Sequence, residues 1–411
     1  MAPVGERQPS RPRAAGSPVN RIPRPVWLLG WTSLFTDAAT EMIYPLLPVF
    51  LSRVLGAGAI SLGIIEGVAE AVNSVLKVGS GWLSDRRARR RPIVIAGYAI
   101  SSAARPLIAG AGAWTQVLVI RALDRTGKGI RTAPRDAMLA AFADPVARGR
   151  IFGFHRAMDH AGAIVGPLAA TAFLTVFPEE YRLLFALTAI PGAAAVALLF
   201  FVDEEDGLRH RSDAAGLHLA RAVAVRRLPR RLWAVLGIIL LFSLGNSADA
   251  FLLLRLTDAL GAATYLPLLW AGLHAIKASL ATWGGALSDR VGRKQVIAAG
   301  WIVYAVVYLG FAWSSSAPAL VLWFLAYGVY FGLAEGAEKA LVADLTPPEL
   351  HGTAFGLYNA ALGLGLLLAS IGFGLLYERF SPAAAFATGA ALGGVAALLL
   401  LVVPAGIVPP P

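Results

Sequence analysis

The sequence predicts an all-α polytopic membrane protein built from two pseudo-symmetric six-helix bundles. The chain has 411 residues, of which 57% are hydrophobic and 15% are charged, whereas a typical soluble domain has about 25% charged residues. Apolar stretches of roughly 20 residues, the length needed to cross about 30 Å of hydrocarbon, recur along the whole sequence. Two short sequence patterns are also repeated about 200 residues apart. Together these observations exclude an ordinary soluble fold.

Length and hydropathy predict twelve spanning segments. They lie near 26–51, 60–84, 92–112, 115–142, 150–177, 181–202, 232–256, 263–288, 293–313, 317–344, 351–377 and 382–404. Residues 1–25 are rich in Pro, Arg and Gly, which predicts a disordered basic tail, and residues 405–411 form a short C-terminal tail. Pro45 and Pro48 predict kinks in the first segment.

Positive charge is concentrated in short clusters between these segments. The clusters include RRARRR at 86–91, ARGR at 147–150 and RRLPRR before residue 232. They all follow even-numbered segments, and such clusters are typical of loops on the cytoplasmic side. The sequence therefore predicts a multi-pass protein of the cytoplasmic (inner) membrane with both termini in the cytoplasm. The same location of charge argues against a nucleic-acid partner.

The two halves of the chain repeat. GWLSDRRARR (81–90) recurs as GALSDRVGRK (285–294), and RGRIFGFHRA (148–157) recurs as HGTAFGLYNA (351–360). The offsets of 204 and 203 are nearly equal, which indicates a duplication. We therefore expect an N-terminal six-helix bundle over 26–202, a cytoplasmic linker over 203–231 and a C-terminal six-helix bundle over 232–404. Repeats of this kind are a recurring plan in transporters, with the substrate site near the bilayer midplane.

The repeated loop resembles the Gly-x-Leu-x-Asp-Arg-x-Gly-Arg-Lys/Arg motif of the major facilitator superfamily, and the resemblance covers nearly the full chain. The second copy matches completely, while the first has Ala88 in place of the second glycine. The resemblance implies that the loop latches the outward-facing state; the alternative is a simple topology anchor. The gating residues it implies are Gly81, Asp85, Arg86, Arg89, Gly285, Asp289, Arg290, Gly292 and Arg293.

A second signature lies in segment five, where Gly162, Gly166 and Pro167 resemble the Gly-x-x-x-Gly-Pro stretch of proton-linked exporters in this superfamily. Glycines at this spacing also allow ordinary close helix packing, so this alternative stays open. Residues 35–51 together with 124–137 resemble a widespread group of bacterial permeases to which no substrate is securely attached.

Segment four contains a charged face, in the stretch RALDRTGKGIRTAPRDAML at 121–139. On a helix, its charged residues fall within an arc of about 140°. Because unpaired charges in the bilayer centre cost at least about 2.5–3.5 kcal/mol each, we expect this face to point into the protein. The substrate-binding candidates are Arg121, Arg125, Lys128 and Arg131 on this face, with His155, Asn246, His274 and Asn359 elsewhere.

Acidic residues at comparable depth provide candidates for proton coupling, namely Asp37, Glu41, Glu70 and Asp159. The repeat offset also aligns Arg135-Asp136 with Glu338-Lys339, a swapped pair near the predicted cytoplasmic ends. Since adjacent helical residues point about 100° apart, we expect each member of this candidate gate to find its partner on another helix. No metal site or cofactor is expected: the chain has no cysteine, and His155 and His160 lack a second ligand cluster.

Three hypotheses for function follow. The first is a monomeric, proton-coupled secondary transporter that exports a drug or metabolite by alternating access. The second keeps the fold but moves an organic anion or phosphate ester, which the basic face of segment four would bind. The third is a membrane-embedded sensor or lipid flippase, because a fold does not fix a function. None of the motifs indicates an enzyme.

Overall fold

The computed structural model describes residues 22–86, 89–142, 148–203, 228–261, 263–346 and 351–403. Most of the predicted N-terminal tail, the C-terminal tail and most of the predicted linker lie outside this part, and the surroundings of Gly81 and the side chains of Asp85, Arg86 and Asp289 are not described. Besides short helical turns within Tyr44–Val54 and Arg105–Gly110, fourteen helices are described. They are α1 Arg24–Glu41, α2 Ala59–Arg86, α3 Arg91–Ala104, α4 Trp114–Phe142, α5 Arg148–Val176, α6 Tyr181–Leu187, α7 Ala189–Leu199, α8 Arg230–Gly245, α9 Ala250–Leu260, α10 Leu266–Val291, α11 Arg293–Trp313, α12 Ala317–Asp344, α13 His351–Arg379 and α14 Pro382–Val402.

Ten helical segments of the described chain are long and apolar enough to cross a membrane. The helices α4 and α10 fall outside this group; α4 carries seven charged residues between Arg121 and Asp136, whereas α10 contains Lys277, Asp289 and Arg290. They nevertheless pack among the others, α4 against α2 and α3, and α10 against α12. A charged helix is therefore shielded from lipid by apolar ones.

The internal repeat is visible in the helix boundaries. The first residues of α5 and α13, Arg148 and His351, are 203 positions apart, and their last residues, Val176 and Arg379, have the same offset. The last residues of α1 and α8, Glu41 and Gly245, are 204 positions apart. Both halves therefore fold in the same way.

The first segment is interrupted, as Pro45 and Pro48 predict, and so is the seventh. After α1 the chain continues through short helical turns as far as Val54, because Pro45 and Pro48 cannot donate backbone hydrogen bonds. After α8, Asn246 leaves the helical region with φ −93° and ψ 88°, and α9 begins only at Ala250. The spanning segment predicted near 232–256 therefore consists of two helices, α8 and α9, with a short break between them.

The two halves meet mainly through α2 against α13 and α5 against α10. Glycines allow the first of these contacts to be close: a Cβ atom on Gly63 would overlap the carbonyl oxygen of Ser370, and one on Gly67 would lie about 3.1 Å from Leu367. Replacing either glycine by a larger residue would therefore push the halves apart.

The halves are closed at one end and separated at the other. We call the end that carries the loops at 89–90, 200–203 and 228–229 the basic end. At the opposite end, the Ile60 N–H donates to Glu378 Oε2 at 3.0 Å and Ser370 is completely buried. Toward the basic end, Asn359 is exposed although it lies on the same face of α13 as Ser370. A path to solvent between the halves therefore opens at the basic end.

Candidate functional site

A cavity of about 300 Å³ lies between the two halves, at the closed end of this path. Its volume is at the lower limit of the usual range for small-molecule sites. Both halves contribute polar and aromatic side chains to it. The lining residues are Glu41, Tyr44, Glu66, Glu70, Arg125, Lys128, Asn246, Ser247, Ala248, Asp249, Trp270, His274, Lys277, Phe331 and Leu366.

Two cations of α4 face this cavity. Arg125 and Lys128 both line it, and neither has a hydrogen bond or ion pair within the described part of the chain. They lie three residues apart, so both side chains project from one face of α4. Of the four cations that the sequence nominated on this helix, these two are available to a ligand.

The other two nominated cations are held by protein groups. Arg121 Nη2 lies 2.7 Å from Glu66 Oε1 and its Nη1 lies 3.7 Å from Asp124 Oδ2. Arg131 donates to Ser101 Oγ at 2.6 Å and its guanidinium lies 4.4 Å from the centre of the Tyr98 ring. Neither lines the cavity, so their location favours a structural role.

Arg121 belongs to a buried network that connects four segments of the first half. Asp124 accepts a hydrogen bond from Arg105 Nε at 3.0 Å, and Arg105 Nη1 donates to the Thr36 carbonyl at 3.2 Å. The network thus joins α1, α2, the residue that follows α3, and α4. Sequence reasoning missed Arg105 because it treated only α4 as a charged helix. A charged residue just before Pro106, within a predicted span, was the available signal.

Of the three first-half carboxylates that line the cavity, Glu66 is paired with Arg121, whereas Glu41 and Glu70 are bound by neutral donors. Glu41 Oε2 accepts the Trp270 indole N–H at 2.7 Å, a hydrogen bond between the halves, and Glu70 Oε1 accepts Asn73 Nδ2 at 2.9 Å. A neutral donor does not compensate a full negative charge, so both carboxylates can still bind a cation.

Polar side chains continue from the cavity toward the basic end. On α1, Ser33, Asp37 and Glu41 are spaced four residues apart and therefore lie on one face. Asp37 is half-buried and has no hydrogen bond or ion pair to any described residue. Ser33 donates a hydrogen bond to Asp159, which also lies 3.6 Å from His155 Nδ1. The four nominated carboxyl groups are thus divided, two in the cavity and two along the path to it.

The second half contributes the break between α8 and α9. Asn246, Ser247 and Asp249 lie in this break and line the cavity. Asp249 Oδ1 accepts the Tyr327 hydroxyl at 2.9 Å and its Oδ2 lies 3.4 Å from Lys277 Nζ. Within the described chain, both ring nitrogens of His274 are buried without a hydrogen-bond partner, so a ligand could bind there.

Two further residues that the sequence nominated for substrate binding lie away from the cavity. His155 is buried beside Asp159, and Asn359 is exposed and donates to the backbone carbonyl of Phe355 at 2.8 Å. Within the described residues, no cluster of three or more His, Asp or Glu side chains could hold a metal ion.

The expected ion pairs between Arg135-Asp136 and other helices are not formed. Instead, Arg135 Nη2 lies 2.9 Å from Asp136 Oδ1, because a long arginine side chain can bend back to its neighbour. Glu338 is buried and accepts hydrogen bonds from Trp301 Nε1 and the Tyr358 hydroxyl, while Lys339 pairs with Glu335. Arg135, Asp136 and Lys339 therefore pair along their own helices, whereas Glu338 has its partners on the neighbouring helices α11 and α13.

The described residues of the second loop motif lie at the junction of α10 and α11, and the glycines of α5 lie at its contact with α1. Arg290 is exposed, Gly292 ends α10 with φ +111°, and Arg293 Nε lies 3.2 Å from Asp344 Oδ2. Arg89 is also exposed. Gly162 and Gly166 pack against α1, where a Cβ atom on either would overlap a backbone carbonyl oxygen, and Pro167 lies inside the continuous helix α5.

Comparison with known proteins identifies the family. The family model of the Major Facilitator Superfamily matches residues 29–281 and 264–411. The uncharacterized MFS-type transporter MJ1317 of Methanocaldococcus jannaschii is 34% identical over 92% of this chain and 94% of its own length. The multidrug resistance protein MdtH of Aeromonas hydrophila is 24% identical over 86% of this chain and 87% of its own length.

Solved structures agree at the level of the fold. The nucleoside transporter NupG has a TM-score of 0.76, covers 92% of this chain and 98% of its own, and is 13% identical. A bacterial homologue of the human lysosomal transporter Spinster, solved in an inward-facing and unoccupied conformation, has a TM-score of 0.74, covers 92% of this chain and 94% of its own, and is 16% identical.

The chain belongs to the major facilitator superfamily. It is a multi-pass membrane protein with the family's two helical bundles, as the sequence predicts. Its family and fold are those of transporters of small molecules rather than of enzymes.

Proposed function

We propose that this protein is a proton-coupled secondary transporter whose substrate carries an anionic group bound by Arg125 and Lys128. The observation that supports this most directly is that both cations line the cavity between the halves and neither forms an ion pair within 4 Å among the described residues, although Glu70 is close enough to attract both. Charges at membrane depth are costly unless they are paired or hydrated. A carboxylate or phosphate ester would pair with both, and the guanidinium of Arg125 can bind either one through two parallel hydrogen bonds.

Proton coupling rests on the carboxyl groups nearest to these cations. Glu41 and Glu70 share the cavity with Arg125 and Lys128, and Asp37 lies one helical turn from Glu41 on the path to the basic end. Protonation of such a group changes the net charge beside the substrate. We therefore infer that Asp37 or Glu41 exchanges a proton with solvent as the substrate binds and leaves.

Alternating access would be a rocking of the first half against the second around the cavity. The basic end corresponds to the cytoplasmic side by the positive-inside rule, so the conformation described here would be inward-facing. Export is favoured by the glycine-rich contact of α5 with α1 and by the similarity to a multidrug resistance protein.

A second candidate is a cationic drug as the exported substrate. It is favoured by Glu41 and Glu70, whose hydrogen-bond donors are neutral and whose charge a cation would balance. In that case Arg125 and Lys128 would serve as internal counter-ions.

The deciding experiment uses the full chain in liposomes with an imposed pH gradient and an internal pH dye, with glycerol phosphate and tetraphenylphosphonium as the two probes. We expect a proton flux with glycerol phosphate that is lost in Arg125→Gln, and a flux with altered pH dependence in Asp37→Asn. Arg230→Gln, an exposed residue outside the cavity, is the matched control and should behave as wild type. A response to tetraphenylphosphonium alone that is lost in Asp37→Asn would overturn the anionic assignment in favour of the second candidate.

A further inference from the structure

Lys277 lies inside a cage of aromatic rings on the second half. Its ammonium nitrogen is 3.5 Å from the centre of the Phe331 ring, 5.4 Å from that of Trp270 and 5.9 Å from that of Tyr327. Asp249 supplies one carboxylate oxygen 3.4 Å away. A carboxylate surrounded by aromatic faces is the arrangement that recognises ammonium groups, because the ring faces carry partial negative charge.

The ion pair between Lys277 and Asp249 is longer than usual. Charge-assisted hydrogen bonds between an ammonium and a carboxylate are usually about 2.7–2.9 Å long, whereas the contact to Asp249 is 3.4 Å. The shorter bond to Asp249 comes from the Tyr327 hydroxyl at 2.9 Å. Lysine also has a flexible four-carbon stem, so its ammonium group can leave the cage without a change in the backbone.

The cage opens into the substrate cavity. Trp270, Phe331 and Asp249 all line this cavity, together with Arg125 and Lys128 of the other half. A ligand in the cavity can therefore touch an aromatic, negatively charged surface on one side and these two cations on the other. Trp270 also donates to Glu41 across the interface, so the cage is connected directly to a contact between the two halves.

We propose that this cage is the binding subsite for an ammonium group of the substrate, and that Lys277 fills it when no substrate is present. The inference rests on the proposed function and narrows its substrate class to zwitterions, with an anionic group at Arg125 and Lys128 and an ammonium group among Trp270, Phe331 and Asp249. On binding, the displaced Lys277 ammonium moves into the cavity, where Glu41 is among the nearby anions.

The test uses tetramethylammonium, the simplest quaternary ammonium, with the purified full-length protein. Removal of the tethered cation by Lys277→Met should lower the Kd for tetramethylammonium at least tenfold relative to wild type, measured by saturation-transfer NMR. The double variant Lys277→Met/Asp249→Asn should lose this gain. Arg230→Met, which removes an exposed cation outside the cavity, is the control and should bind as wild type does.

A second measurement protects the test against poor folding of the variant. Because Lys277→Met leaves Asp249 without its cation, tetramethylammonium should raise the Tm of this variant but not that of wild type. An unchanged Kd together with an unchanged Tm would overturn the assignment of the cage. Neither measurement depends on Arg125. The cage can therefore be tested even if the liposome assay shows no role for Arg125 in transport.

Discussion

The buried ion pair between Arg121 and Glu66 should be among the most sensitive features of the first half. We expect Glu66→Gln to remove the nearest anion of Arg121, which lies 2.7 Å away, and to leave only Asp124 at 3.7 Å. Asp124 is already shared with Arg105 at 3.0 Å. The variant therefore buries two guanidinium groups against one carboxylate.

The magnitude follows from this imbalance. Charges about 4 Å apart attract by about 4 kcal/mol at an effective dielectric constant of about 20, and breaking a buried pair by removing one partner typically costs about 3–5 kcal/mol. The side chains of Arg121 and Glu66 are only 3% and 8% exposed, so little screening by water is available. If one half unfolds as a unit, this loss lowers Tm by about 6–20 °C, at about 2–4 °C per kcal/mol.

The assay is thermal unfolding of the detergent-solubilised protein followed by tryptophan fluorescence, applied to a double-mutant cycle. Glu66→Gln/Arg121→Gln should be more stable than either single variant, because it restores charge balance and keeps Asp124 paired with Arg105. Lys339→Gln, from an ion pair whose members are 46% and 57% exposed, should change stability by no more than about 1 kcal/mol. Losses that simply add in the double variant would refute the reasoning.

Two further predictions concern the conformation and the packing. Because the chain has no cysteine, a single introduced cysteine shows whether its position is accessible to a water-soluble maleimide. Asn359→Cys should react, whereas Ser370→Cys, fully buried on the same face of α13, should not. Equal labelling of both would contradict closure at the opposite end. Gly166→Val should lower the free energy of unfolding by about 1–3 kcal/mol or more, because the new side chain overlaps the α1 backbone, and the loss is measured as a lower Tm. Gly237→Val, at a position with open space around it, should not lower Tm. An unchanged Tm in Gly166→Val would argue against this close contact.

The fold was largely predictable because hydropathy, basic loops and an internal repeat are properties of the chain itself. The interior charges were only partly predictable. Helical periodicity places Arg121, Arg125, Lys128 and Arg131 on one face, but it cannot tell which of them meet partners on other helices. Arg121 is neutralised by Glu66 and Arg131 is held by Ser101. Which cations remain available to a ligand thus depends on tertiary packing.

The gate residues illustrate a second limit. The repeat aligns Arg135 with Glu338, yet the two environments have diverged. Arg135 forms an ion pair with its neighbour Asp136, while Glu338 is buried between the indole of Trp301 and the hydroxyl of Tyr358. A duplication preserves the backbone plan, but each half then surrounds the aligned position with different side chains.

This divergence extends through the whole cavity and bears on how it works. The first half lines the cavity with Arg125, Lys128 and three glutamates, whereas the second provides aromatic rings around Lys277 and Asp249. On the proposed transport mechanism, rocking of the halves would separate a charged surface from an aromatic one. The Glu41 to Trp270 hydrogen bond joins these two surfaces, so on the same mechanism a substrate that bound either residue would have to break this bond.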